Sequence, residues 1–125
     1  SIAIPIMMPK GDEIIIGMAM DPTFGPMIAF GSGGVLVNLL QDASFRLAKG
    51  LSKAEVSEMI KETKAYTLLK GFRGAAPDDI PALEEAIGRV GQLCRDFPEI
   101  SELDINPVFA YPKGLSALDV KIKIS

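Results

Sequence analysis

The chain has 125 residues, 48% of them apolar and 23% charged, with a formal net charge of −3. That mix can bury a core, so general disorder is excluded, and the length suits one domain. Histidine is absent and cysteine occurs once, which removes histidine catalysis, His-ligated metals, internal disulfides and thiolate clusters.

What remains for chemistry is carboxylates, amides, hydroxyls, Lys and Arg. These are hard, oxygen-rich groups, suited to magnesium and phosphate rather than zinc. No basic stripe or tryptophan marks a nucleic-acid surface, so no nucleic-acid partner is expected. No apolar run approaches the roughly 18–20 residues of a membrane span, and no secretion signal opens the chain. A cytoplasmic location with no membrane partner is expected. Ser1 in place of Met points to a trimmed chain or to a piece of a longer protein.

In chain order, Ser1–Met8 reads as an extended or edge segment broken by Pro5. Asp12–Met20 alternates, with Ile14, Ile16, Met18 and Met20 on one face and Glu13, Ile15, Gly17 and Ala19 on the other. Met27–Phe30, Val35–Leu40 and Asp42–Ala48 read as further strands. The Gly31-Ser32-Gly33-Gly34 run lacks the Lys-Ser/Thr of a phosphate loop and opens no helix, so it reads as a tight strand connection.

Ser52-Lys53-Ala54-Glu55 carries a capping-box pattern. Val56, Met59, Ile60 and Thr63 then form a core stripe, and Gly71 is the expected stop. The loop through Arg73 leads to a second helix, capped by Asp78 or Asp79 with Pro81 in its first turn. Its buried stripe is Ile80, Leu83, Ile87, Val90 and Cys94, which makes Cys94 a core residue rather than a nucleophile. Two alternating strands close the chain, Leu103-Ile105 and Leu118–Ile124. The fold class is α+β: a mixed or antiparallel sheet with two helices packed on one face.

The last two strands carry the most informative pattern. Matching their apolar faces needs partners whose numbers sum to an odd value, and a turn near Lys113 puts that sum near 225. Asn106 then opposes Asp119, and Asp104 opposes Lys121. Opposed Cβ atoms lie roughly 4.5–5.5 Å apart, close enough for two oxygen ligands to share one metal ion. A bulge at Pro107 would shift the register by one. A merely solvated polar face is the competing reading, although Asn and Asp are poor strand formers.

Leu103-Asp104-Ile105-Asn106-Pro107-Val108, followed by Leu118-Asp119-Val120-Lys121, resembles the end of the ATP-grasp fold. More narrowly it resembles ADP-forming acyl-CoA synthetases, relatives of the succinyl-CoA synthetase β chain. Gly11–Gly17, Asp21–Pro26, Phe30–Gly34, Asp42–Leu47 and Leu69–Gly74 also resemble that family's segments, in order.

The resemblance implies a C-terminal ATP-grasp lobe over residues 1–125, with Mg2+ and ATP or ADP as cofactors. It implies magnesium ligands at Asn106 and Asp119 and a catalytic acidic position near the transferred phosphate at Asp104. Arg46 is the candidate phosphate contact; its alternative is a strand-edge arginine in solvent. Glu13 orders a lysine or the ribose, or merely ends its strand. The hinge before it, Pro5-Ile6-Met7-Met8, would hold adenine through backbone groups of Met7 and Met8, although members often carry Gln or Glu there. The implied reaction converts acyl-CoA, ADP and phosphate to an acid, CoA and ATP, through a phosphohistidine. With no histidine here, that residue must lie elsewhere. The implied partners are the N-terminal ATP-grasp lobe, the CoA-binding and phosphohistidine domains, and small-molecule substrates. On this reading the isolated chain is inactive. Two alternatives are a regulatory lobe of a protein lysine acetyltransferase fusion and a plain interaction module.

Overall fold

The computed structural model describes residues 11–33, 42–71 and 74–125. The expected segments Ser1–Met8 and Val35–Leu40, and Arg73, lie outside them. Strands β1 (Asp12–Asp21) and β2 (Gly25–Ser32) form an antiparallel hairpin. Its turn is held by Asp21, whose carboxylate accepts the amides of Thr23 at 2.8 Å and Phe24 at 2.9 Å. Strand β3 (Ala43–Leu47) pairs with β2, and β4 (Ile100–Ala110) pairs with β1. On the other side of β4 lie β5 (Leu115–Ala117) and β6 (Val120–Ile124). All these pairings are antiparallel, in the order β3-β2-β1-β4, with β5 and β6 sharing the outer edge.

Helix α1 (Lys53–Lys61) starts at the expected capping box: Ser52 accepts the Glu55 amide, and Glu55 accepts the Ser52 amide, both at 3.1 Å. Its stripe of Val56, Met59, Ile60 and Thr63 is buried as expected. The helix does not run on to Gly71. It stops at Lys61, and a separate short helix α2 (Ala65–Leu69) follows. Between them the Thr63 hydroxyl donates to Ile60 O at 2.7 Å, and the Asp42 carboxylate takes the Lys64 and Ala65 amides. A carboxylate from β3's approach thus caps the second helix and breaks the run.

Helix α3 (Ile80–Asp96) is capped by Asp79, the second of the two candidates, which accepts the Ala82 amide at 3.1 Å. The same carboxylate accepts the Gly114 amide at 2.8 Å, tying the helix start to the turn before β5. Leu83, Ile87, Val90 and Cys94 are buried, and burial pushes the Cys94 thiol up.

The helices contact β1, β2 and β3 from one side. Between the layers lies one core of Ile14, Ile16, Ile28, Phe30, Met59, Leu69 and Ile87 with their neighbours. Each such side chain contributes about 1.5–3 kcal/mol by leaving water. Matched apolar faces on the last two strands imply burial on both. Only β4 delivers it: Leu103 is buried, whereas Val120, Ile122 and Ile124 opposite or beyond it are at least half exposed. The helix layer ends short of β6, so alternation there faces no core.

Candidate functional site

The last hairpin has the register expected from its sequence. Leu103 pairs with Ile122, Asp104 with Lys121, Ile105 with Val120, and Val108 with Ala117. In the gap between β5 and β6, the Asn106 amide donates to Asp119 O and the Leu118 amide donates to Pro107 O, both at 3.1 Å. Asn106 therefore stands opposite Asp119. The irregularity at Pro107 falls on the other side of β4. From Ile14↔Val108 to Ile16↔Ile105, β1 spends two residues while β4 spends three.

Alternation puts Asp104 on the sheet face away from the helices, because its neighbour Leu103 is in the core. Across the ladder it opposes Gly17. A Cβ on Gly17 would lie 3.9 Å from Asp104 Oδ1, so the carboxylate leans over the bare backbone of β1. Glu13 follows the same alternation four residues before Gly17 and pairs with Phe109. Asn106 is two residues beyond Asp104. The open face thus collects Glu13, Asp104, Asn106 and Asp119. Lys121 Nζ lies 4.0 Å from Asp119 Oδ2, with both side chains more than half exposed.

Arg46 is placed elsewhere. It pairs with Ile28, a core residue on the helix face. Its guanidinium donates to both oxygens of Glu62, just beyond α1, and to Phe45 O at 2.9 Å. The contact holds Glu62 below its usual range and Arg46 above its own. A phosphate contact from Arg46 would require exchanging Glu62 for the phosphate. Met7 and Met8 lie outside the described residues.

Two groupings escaped the sequence reading. Asp42 is buried and gathers Ser32 Oγ and the Lys64 and Ala65 amides. Asp78 approaches Asp12 at the head of β1. Burial, then the hydrogen bond and the charge of Asp12, push the Asp78 carboxyl up to about 7. One Asp78 oxygen is buried with no partner. Neither pair has a sequence signal, because both join residues far apart in the chain.

Among the described residues no cluster of three or more His, Cys, Asp or Glu could hold a metal ion unaided. One amide and one carboxylate oxygen do suit magnesium, which is commonly held by one or two side chains and completed by substrate phosphates and water. Also among the described residues, no helix is long and apolar enough to cross a membrane.

The model of the ATP-grasp domain family matches residues 1–124. This chain belongs to the ATP-grasp family. The narrower resemblance is borne out as well. This ATP-grasp chain is 48% identical over 116 residues to the β subunit of ADP-forming acetate–CoA ligase I of Pyrococcus furiosus, matching 93% of this chain and 50% of that one. It is 47% identical over 118 residues to an ADP-forming 4-hydroxybutyrate–CoA ligase of Nitrosopumilus maritimus, matching 93% of this chain and 17% of that one. Among solved structures, a dinucleotide-forming acetyl-coenzyme A synthetase of Candidatus Korarchaeum cryptofilum superposes with a TM-score of 0.88 at 50% identity, covering 94% of this chain and 55% of that one. That structure holds coenzyme A and Mg-AMPPCP, with a phosphohistidine segment pointing towards the nucleotide site. The chain spans about half the length of the β-subunit relative and a sixth of the longer ligase.

Proposed function

We propose that this chain is the C-terminal ATP-grasp lobe of an ADP-forming acid–CoA ligase. Within it, acyl-CoA, ADP and phosphate interconvert with an acid, CoA and ATP. The opposition of Asn106 and Asp119 in a chain of this family carries the reading. Asn106 and Asp119 hold magnesium. When bound, the ion offsets the negative charge of the phosphate oxygens it touches. Asp104 stands beside them as an acidic group at the phosphoryl end, and Glu13 marks the nucleoside end of the same face. Arg46 lies on the helix face, bound to Glu62, and is assigned no part in this site.

The histidine that carries phosphate lies in another domain or subunit, since this sequence contains none. The Korarchaeum relative has such a segment, which supports this division of labour. The N-terminal lobe and the CoA-binding domain complete the site. The relatives act on acetate and on 4-hydroxybutyrate, and no residue of this lobe is assigned to the choice of acid. The reaction belongs in the cytoplasm, where adenine nucleotides and CoA are held.

Isothermal titration of Mg-ATP into the full parent enzyme tests the reading. Native enzyme should bind, and Asn106→Ala and Asp119→Ala should weaken binding only when magnesium is present. Equal binding by native and variant enzymes would sink it.

A further inference from the structure

We infer that Asp42 is a positioning residue that holds Glu13 in place through Ser32 and Gly33. The inference rests on the proposed nucleotide reading of the open face, and extends it to a residue on the opposite side of the sheet.

Asp42 is 8% exposed, and its carboxylate meets three donors: Ser32 Oγ and the Lys64 and Ala65 amides. A buried carboxylate persists only when its lone pairs are occupied in this way. Ser32 is gripped twice, because its own amide also donates to Asp42 O at 3.2 Å. The next residue, Gly33, donates its amide to Glu13 O at 2.9 Å. Gly33 is also packed onto the Glu13 side chain. A Cβ there would fall 2.7 Å from Glu13 Cγ and 3.1 Å from Glu13 C, so the bare glycine backbone sets how far the Glu13 stem can swing. A path of direct contacts runs Asp42, Ser32, Gly33, Glu13.

A capping role for α2 alone does not account for this arrangement. A local Ser, Thr or Asp at the helix start would satisfy those amides. Here the cap comes from 22 residues earlier and also clamps the end of β2. Helix α2 and the Glu13 end of the sheet are thereby fixed to one group. They line an open cleft of about 360 Å3, together with Asp12, Ser32, Gly33, Asp42 and Lys64. Loosening Asp42 should let Glu13 drift and weaken the nucleotide end of the site, while the phosphoryl end at Asp104, Asn106 and Asp119 stays put on β4 and the hairpin.

The test is steady-state kinetics on the full parent enzyme, with KM for nucleotide and KM for acyl-CoA measured separately. Asp42→Ala and Ser32→Ala should each raise the nucleotide KM about tenfold and change kcat and the acyl-CoA KM less than about twofold. Asp42→Asn keeps one oxygen for the Lys64 amide and an NH2 that can donate to Ser32 Oγ, but loses the acceptor for the Ala65 amide, so it should restore part of the loss. Adding Glu13→Gln to Asp42→Ala should cost nothing further, because both act through one group. If Asp42→Ala does not fold, Ser32→Ala and Gly33→Ala carry the test, the latter pressing on Glu13 directly. Unchanged nucleotide KM in Ser32→Ala and Gly33→Ala, or additive effects of Asp42→Ala and Glu13→Gln, would overturn the inference. Asn106→Ala and Asp119→Ala separate the two levels. If they abolish nucleotide use while the Ser32 and Gly33 variants leave KM intact, only the positioning role falls. If they too are silent, the nucleotide reading falls with it.

Discussion

Asn106 and Asp119 face each other where the outer strand of the last hairpin is interrupted. The Asn106 amide donates to Asp119 O over 3.1 Å, between the paired residues Ile105↔Val120 and Val108↔Ala117. The gap between β5 and β6 leaves both side chains free of the regular ladder. Asp119→Ala should therefore lower magnesium-dependent turnover by about two orders of magnitude. Its side chain is 55% exposed, so thermal unfolding should stay within about 0.5 kcal/mol of native. Turnover and melting on the same preparation check both halves.

Acid–base behaviour is expected to centre on Asp78. Its carboxyl is pushed up to about 7 in the folded chain against an ordinary value of 3.8. Between those values the folded chain holds a proton that the unfolded chain has released. Stability from this group is therefore lost as pH rises from about 4 to about 7, and is level above that. Asp78→Asn should flatten the slope and raise the denaturation midpoint at neutral pH. Urea unfolding at several pH values reads it, and an identical slope in the variant would refute the assignment.

The core makes a sharper mechanical demand. Ile87 and Phe30 are fully buried on facing layers, one on α3 and one on β2. Ile87→Ala should cost about 2–5 kcal/mol and Phe30→Ala about 3–5 kcal/mol in chemical denaturation. Ile122→Ala, on the uncovered β6, should cost under about 1 kcal/mol in the same experiment. Equal losses at Ile122 and Ile87 would show that a core extends under β6.

Cys94 should be chemically silent in the native state. Its thiol is buried on α3, and burial pushes its ionisation up. Reaction with a thiol reagent should appear only as the chain unfolds, with a rate that tracks denaturant. Rapid labelling of the native enzyme would contradict this packing.

Much of the fold was legible because it is written in local periodicity. The Ser52 capping box, the α1 and α3 stripes and the Asn106–Asp119 register each depend on residues close in sequence or on strict alternation. The break between α1 and α2 was not legible, because the carboxylate that caps α2 arrives from Asp42. Arg46 reads equally well as a phosphate ligand or a free surface cation. Only its approach to Glu62, 16 residues away, gives it a third role.

By composition alone this chain excludes a histidine, so any phosphohistidine it serves must come from another domain or subunit. Alternation limits the last hairpin to registers with an odd sum, and a turn near Lys113 selects the one that opposes Asn106 and Asp119. Tertiary structure decided what alternation cannot. The helices stop short of β6, so the same apolar pattern is buried on β4 and exposed on its neighbour. It also brought Asp78 to Asp12 and Asp42 to Ser32. The reason is physical: periodicity says which side chains share a face, but which face is covered, and which distant charge arrives there, depends on how the layers pack.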